Sequence, residues 1–298
     1  VRMAAGMERY QIFLRVVELG SITRAAESLS YTQSGVSHAV RALEQECGVA
    51  LLTRGKAGVA LTENGRLLLP RIQALVNQQR ALEQAIHEVN HVVAGTLRIG
   101  TFTSVSTQWL PGMIERFQRS YPQVEFQIYA GGYEDIAERV QEGRADLGFL
   151  TSVVRSPQLC FHALRRDQMM AILPRDHPLA ARRRVSVGQV AREDLVMPLR
   201  GSEQDIRAAL ADSPSPLNVR YALNDDFSAL AMVEHGFGVS VMPELILRNS
   251  AFEVEVRPFS PARWRTIGIA TLDPAGLTAV ARTFVGFLTS PDNADLLQ

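Results

Sequence analysis

Cysteine is scarce in this chain: Cys47 and Cys160 are the only two among 298 residues, too few for a disulfide framework or, by themselves, a metal site. Both are expected to be inert thiols rather than a redox pair. No apolar run approaches the roughly 20 residues that a membrane span needs, and no charged, apolar and small-residue leader opens the chain, so a cytoplasmic protein without a membrane partner is expected. Net charge is missing too. With 31 Lys and Arg against 31 Asp and Glu, any attraction to a polyanion has to be local. Neither a Walker-type glycine-lysine loop nor a Gly-x-Ser-x-Gly elbow is present. Gly236-Phe237-Gly238 follows a helical pattern and precedes a strand, the reverse of a dinucleotide fingerprint. The six histidines are scattered over a helix (His38), a linker (His87, His91) and isolated positions (His162, His177, His235). No catalytic residue, no cofactor and no metal are expected, hence no enzyme.

What the chain does contain is concentrated in Ser21 to Glu44. Ala25, Ala26 and Leu29 share one helical face; after a Ser30-Tyr31-Thr32 break, Val36, Ala39, Val40 and Leu43 recur at three- and four-residue steps, so two short helices bury against each other. Thr32 is the expected N-cap of the second. Its outer side is left with Gln33, Ser34, Ser37, His38 and Arg41, short polar and cationic groups suited to base edges and phosphates. A first helix, Glu8 to Leu19, presents Tyr10, Phe13, Leu14 and Val17 inward and stops at Gly20. Downstream, Leu51 to Thr62 reads as a two-stranded wing carrying Arg54 and Lys56. The unit is a winged helix-turn-helix over residues 7–65, with Val1 to Gly6 left out of the fold reading. Residues 1–66 hold eight Arg or Lys against six Asp or Glu, a slight basic bias. Gln33, Ser37 and His38 are expected to read bases, and Ser34, Arg41, Arg54 and Lys56 to hold phosphates of double-stranded DNA. The alternative class is a small-molecule-binding or enzymatic protein with a degenerate helix-turn-helix.

Length and a 46% hydrophobic content allow about two domains. Between them, residues 66–93 read as one long helix whose positions Leu68, Ile72, Leu75, Leu82, Ile86, Val89 and Val93 form a coiled-coil seam interrupted by Gln79. Exposed on a monomer, that stripe would face water, so pairing with a second copy is expected. Pro70 predicts a kink or break near residues 66–70. Beyond Gly95, strand candidates at 96–100, 124–128, 146–150 and 239–242 alternate with helix candidates at 109–120, 133–142, 203–210 and 227–234, which implies a mostly parallel sheet covered by helices. Such sheets take ligands at the carboxyl ends of their strands. That rule points to three loops: Thr101 to Ser106, Thr151-Ser152, and Leu199 to Ser202. Helix N-termini at Thr103-Ser104 and at Ser202 favour a small anion or carboxylate.

The run AAESLSYTQSGVSHAVRALEQECGVALLTRGKAGVALTENG, and nearly the whole chain with it, resembles the LysR-type transcriptional regulators of bacteria. The order and spacing of Ala25-Ala26, Leu29, Gln33, Val36-Ser37, Leu43-Glu44, Gly48, Leu51-Leu52, Arg54, Leu61-Thr62 and Gly65 carry the resemblance. Ser34-Gly35 replaces the usual proline and small residue, His38 a common arginine, and Leu52 a common phenylalanine. The resemblance implies an α/β chain with a winged helix-turn-helix in front. A dimerising linker helix would follow, then a periplasmic-binding-protein-like domain from residue 95 to 298. Two α/β subdomains would compose that domain, 95–165 with 266–298, and 166–265. It also implies promoter DNA as partner, with RNA polymerase beside it, and a homotetramer. A small-molecule effector would bind between the subdomains at Phe102, Thr103, Ser104, Thr151 and Ser202, with Phe227 lining an apolar wall.

Overall fold

In the computed structural model, residues 6–55, 58–89, 93–199 and 202–297 are described, with the backbone alone for Arg54 and for residues 84, 85 and 87–89. Three helices open the chain: α1 (Glu8–Leu19), α2 (Ile22–Leu29) and α3 (Gln33–Cys47). Each boundary has a local cause. Gly20 ends α1 in a left-handed conformation at φ 60°, the Ser21 side chain accepts from the Arg24 amide, and the Thr32 side chain accepts from the Gly35 amide, supplying partners for orphan helix-end groups. Ile12, Val16, Ile22, Ala25, Ala26, Val36 and Val40 form the shared core. The small residues at 25 and 26, 0% and 3% exposed, let α3 approach α2 closely.

The wing is the antiparallel pair β1 (Leu52–Gly55) and β2 (Gly58–Leu61), in register Leu52 with Leu61. Glu44 pins it to α3, its Oε1 accepting from the Leu51 and Leu52 amides at 2.8 and 3.0 Å. Behind it, a Cβ on Gly65 would stand 2.1 Å from the Leu51 carbonyl oxygen, so only glycine fits where the linker helix α4 (Glu63–Val89) leaves the wing. That helix passes Pro70 without a break, because a proline can sit within a helix where packing compensates for its one lost hydrogen bond. The expected seam divides. Ile72 is buried in a cluster with Phe13, Leu43 and Leu51, against which Leu68 packs, whereas Leu75 and Leu82 stay 44% and 49% exposed. The helix also begins three residues earlier than residue 66 and ends at Val89; Val93 packs instead onto the core of the following unit. The chain divides into two units, residues 1–86 and 87–298.

The second unit carries β3 (Gly95–Thr101), α5 (Thr103–Gln108), α6 (Leu110–Ser120), β4 (Val124–Ala130), α7 (Tyr133–Gln141), β5 (Leu147–Thr151) and β6 (Cys160–Leu173). It continues with α8 (Val187–Val190), β7 (Leu195–Pro198), α9 (Glu203–Ala209), β8 (Val219–Leu223), α10 (Asp226–Glu234), β9 (Ser240–Pro243), α11 (Glu244–Leu247), β10 (Glu255–Thr271) and α12 (Ala279–Thr289). The six-stranded sheet runs β4-β3-β5-β10-β6-β9, and β7 and β8 form a separate parallel pair. Only β4-β3-β5 is parallel; the pairings of β10 with β5 and β6, and of β6 with β9, are antiparallel. The sheet is therefore mixed rather than mostly parallel. The reason is the long β6-β10 pair: Ile267 to Ala270 pair with β5 on one side, while Met169 to Ile172 pair with β9 on the other. Two cores flank this pair. Leu97, Phe117, Phe149 and Phe284 belong to the first; Met169, Val190, Val241 and Phe259 belong to the second. Midway along the pair, Arg265 stands opposite Asp167. The helix expected over 109–120 is α6, and an unexpected short helix, α5, precedes it, so that Thr103 and Ser104 occupy its first turn rather than a loop.

Candidate nucleic-acid interface and ligand cleft

Periodicity determines what α3 shows to solvent. Val36, Val40 and Leu43 are buried, which leaves Thr32, Gln33, Ser34, His38 and Arg41 exposed and Ser37 half-buried. Thr32 is occupied by capping: its hydroxyl oxygen accepts from the Gly35 amide at 3.1 Å and lies 3.1 Å from Ser34 Oγ. Arg41 Nε donates to the Ser37 carbonyl at 3.2 Å, which lays the guanidinium along the helix. Gln33 and His38 have no hydrogen bond to another described side chain or backbone group, so their donors and acceptors are available to base edges in a major groove. The Arg54 side chain and all of Lys56 lie outside the described residues. The backbone of the wing, however, ends in Gly55 opposite Gly58.

In the second unit the structure gathers four of the hydroxyl residues proposed from sequence, Thr103, Ser104, Thr151 and Ser202, around one buried polar network. Its centre is Arg265, 3% exposed. The guanidinium donates from Nε to Asp167 Oδ2 at 2.9 Å, from Nη2 to Ser104 Oγ at 2.7 Å, and from Nη1 to the Tyr133 hydroxyl at 3.2 Å and Asp205 Oδ2 at 3.5 Å. Tyr133 in turn donates to Asp205 Oδ2 at 2.6 Å, and Thr151 to Asp205 Oδ1 at 3.0 Å. A second acid, Asp226, accepts from Ser202 Oγ at 2.6 Å. Phe102 closes the network from one side, 5.0 Å edge-on to Tyr133 and 5.3 Å from the Arg265 guanidinium. Phe227 is exposed and stacks on Phe252 at 6.5 Å.

Electrostatics follow from burial. Desolvation pushes the Asp205 carboxyl up, against the opposing pull of Arg265, Tyr133 and Thr151. Asp226 is also raised by desolvation, partly offset by the Ser202 and Thr103 hydroxyls. Burial and the neighbouring Asp205 charge raise the Tyr133 phenol well above its ordinary range, so it remains a donor. For Arg265, burial acts to lower the pKa, yet Tyr133, Asp167 and Asp205 raise it, so the guanidinium stays charged. Tyr133, Asp167, Asp205, Asp226 and Arg265 were not legible as site residues. Asp205 and Asp226 fall in first helical turns, where an acid ordinarily complements the dipole, and the strand pairing that brings Asp167 to Arg265 spans 98 positions.

One histidine spacing points elsewhere. His87-Glu88-Val89-Asn90-His91 has the two-histidine helical spacing of zinc proteases, but these side chains lie outside the described residues. Among the described residues no group of three or more His, Cys, Asp or Glu could hold a metal ion, and no helix is long and apolar enough to cross a membrane.

Two family models cover most of the chain. Residues 7–66 match a bacterial regulatory helix-turn-helix protein of the lysR family, and residues 90–290 match a LysR substrate binding domain. Among relatives, the probable HTH-type transcriptional regulator LrrA of Synechococcus elongatus is 30% identical over 270 residues, covering 89% of this chain and 90% of its own. YvbU of Bacillus subtilis, an HTH-type transcriptional regulator, is 25% identical over 278 residues, with 92% and 94% covered. Full-length OxyR of Pseudomonas aeruginosa superposes with a TM-score of 0.72 at 22% identity, covering 100% of this chain and 95% of that one. HinK, a LysR family regulator from the same organism, gives 0.59 at 25%, with 95% and 96% covered.

Proposed function

From the premise that this chain belongs to the LysR family of DNA-binding transcriptional regulators with an effector-binding domain, we propose that α3 enters the major groove of promoter DNA. Gln33, Ser37 and His38 then meet base edges, while Thr32 and Ser34 at the helix start, Arg41, and Arg54 and Lys56 of the wing meet the phosphates. The observation that carries this reading is the free outer face of α3: its polar groups are exposed and Gln33 and His38 are not spent on intramolecular bonds. A mobility-shift titration with DNA upstream of the gene tests it. A shifted band with that DNA at salt concentrations where scrambled DNA stays free supports it; equal affinity for both removes sequence-specific regulation.

The protein acts as a dimer through α4, and as a homotetramer on paired half-sites. Leu75 and Leu82, seven residues apart on one face and each nearly half exposed, support the dimer by leaving an apolar stripe for a second copy. Light scattering tests this. The double substitution Leu75→Glu, Leu82→Glu shifts the wild-type oligomer to a smaller species with unchanged helical circular dichroism; an unchanged mass assigns the contact to another surface. RNA polymerase is the expected neighbour at the promoter.

A small-molecule effector bound between subdomains 95–165 with 266–298 and 166–265 biases the arrangement of the DNA-binding units by its differential affinity for two closure states. Support comes from the network itself, which ties Ser104, Tyr133 and Thr151 of the first subdomain to Asp205 and Arg265 of the second. A small anion or carboxylate is kept as the class of effector, held by the amides at the starts of α5 and α9 and by the Thr103 hydroxyl; the Thr151 and Ser202 hydroxyls donate to Asp205 and Asp226.

A further inference from the structure

Away from the polar network, the first subdomain holds a cavity of about 380 Å³ between the sheet and the loop of residues 152–159 that joins β5 to β6. We infer that this cavity is a separate binding site for a hydrophobic monocarboxylate, an acid whose charge is met by Arg155 and whose apolar body lies on Leu150, Phe161 and Ala270. Strand alternation sets it apart from the effector cleft proposed above. Successive side chains of a strand point to opposite faces. On β10, Arg265, Ile267 and Ile269 share one face, and Gly268 and Ala270 the other; on β5, Thr151 sides with Phe149, and Leu150 with Gly148. The cavity takes Leu150 and Ala270, so it lies on the face of the sheet opposite to the network that Arg265 and Thr151 join.

Its walls are anchored. Leu150 and Ala270 form the floor, each 1% exposed. Phe161 forms one wall, its ring reaching over Gly268, where a Cβ would stand 2.5 Å from Phe161 Cζ. The loop forms another: the Ser152 amide donates to the Thr266 carbonyl at 2.9 Å, and Ser156 Oγ accepts from Gln141 Nε2 of α7 at 2.7 Å and from the Gln158 amide at 3.3 Å. A loop tied to both the sheet and a helix keeps the space open before a ligand arrives, which lowers the cost of binding. Phe161 is still 37% exposed, and an apolar ligand covers it. The lining also selects the charge. Among the described residues, Arg155 is the one charged group that lines the cavity, and its guanidinium has no hydrogen bond or ion pair; its planar fork suits a carboxylate. Ser152 Oγ is unbonded as well, and Ser156 Oγ, which accepts twice, keeps its own proton to donate. One cation and two hydroxyls beside six apolar residues balance a single negative charge, whereas a dicarboxylate or a phosphate ester brings a second one with nothing to meet it. The volume stands at the low end of the about 300–1,000 Å³ usual for ligand pockets, a size for a medium-chain or monocyclic acid.

Thermal unfolding of the full-length protein with octanoate, kept below its micelle-forming concentration, tests this, with octan-1-ol as the same body without the charge. Octanoate raises the unfolding midpoint of the wild type, and the alcohol at equal concentration raises it less. In Arg155→Gln, a change at an exposed and unbonded side chain that leaves the fold intact, the half-saturating octanoate concentration rises about tenfold or more. Phe161→Ala weakens the response too, by removing a wall. In Thr103→Val, which alters the cleft on the other face of the sheet, the response equals that of the wild type. Octanoate that leaves the wild type unmoved overturns the site, as does a response undiminished in both Arg155→Gln and Phe161→Ala. Octan-1-ol as effective as octanoate removes the role of Arg155 and with it the acid. A response lost in Thr103→Val and kept in Arg155→Gln places the acid in the effector cleft instead, which overturns the separate site and leaves the effector reading standing.

Discussion

The N-terminus of α3 and the buried polar network of the second unit use the same residue types to opposite ends. Thr32, Gln33, Ser34 and Ser37 sit at the start of a helix whose inner face is filled by Val36 and Val40, and they remain at the surface. Thr103, Ser104, Thr151 and Ser202 also stand at strand and helix ends, yet Ser104, Thr151 and Ser202 are 5% exposed or less and each is bonded to a charged side chain. A hydroxyl at the surface trades partners with water or DNA at little cost. One inside a charged network is a fixed structural tie, because leaving its partner unsatisfied costs the full desolvation of that group. The comparison teaches that a serine or threonine at a helix start is read as a ligand contact correctly only when its burial and its neighbours' charges are known.

Breaking the buried side of this comparison gives the largest expected effect. Arg265→Met removes one member of the ion-paired network and leaves Asp167 and Asp205 buried without a cation, so the second unit loses about 3–5 kcal/mol of stability. Both tryptophans, Trp109 and Trp264, lie in this unit, so urea unfolding followed by tryptophan fluorescence reports on it directly. A loss under 1 kcal/mol would show the network to be solvated. On the exposed side, Gln33→Ala lowers the preference for the specific site by about 1–3 kcal/mol without changing affinity for random DNA, while Arg54→Ala weakens both alike. Competition titrations with the two DNAs check this, and equal losses on both for Gln33→Ala would reassign that residue to the phosphates. Thr32→Ala, which removes only a cap, costs about 1 kcal/mol of thermal stability in the first unit, read by the loss of helical circular dichroism.

The subtlest test is pH. Burial raises the Asp226 carboxyl above its ordinary value of 3.8. A group whose folded pKa exceeds its unfolded one stabilises the fold fully below the unfolded value, and that contribution is lost as pH rises through the folded value. Between neutrality and 3.8, acidification thus favours folding through this group. Asp226→Asn is consequently more stable than wild type at neutral pH, and the difference shrinks as pH falls; urea titrations of both proteins across that range check it. A difference that is constant with pH would mean that the Asp226 carboxyl titrates alike in the folded and unfolded chain. Asp205, raised by the same cause, adds in the same direction.

Local rules made much of the chain legible. The limits of α1, the caps at Ser21 and Thr32, and the buried stripe of α3 depend on neighbours three or four residues away, and the strands at Leu97 and Leu147 announce themselves by apolar content. Where competing surfaces had to be compared, sequence reading failed. Leu68 and Ile72 share a heptad with Leu75 and Leu82, yet the first pair packs on Phe13 and Leu43 of its own domain and the second faces solvent. Periodicity names a face but not what covers it. The antiparallel β6-β10 pair was missed for a related reason: Arg165-Arg166-Asp167 and Arg263-Trp264-Arg265 do not look like interior strands until each supplies the other's countercharge.

The sequence by itself therefore determined the helix-turn-helix, its outward polar face, the alternating α/β pattern and the hydroxyls at the strand ends, since each is set by interactions within a turn or between adjacent residues. Only the tertiary structure decided that those hydroxyls would be met by Asp205 and Asp226, and that Arg265 would be shared among Asp167, Asp205, Tyr133 and Ser104. Charge compensation in this buried site depends on groups 60 and 98 positions apart, and only folding brings them within hydrogen-bonding reach.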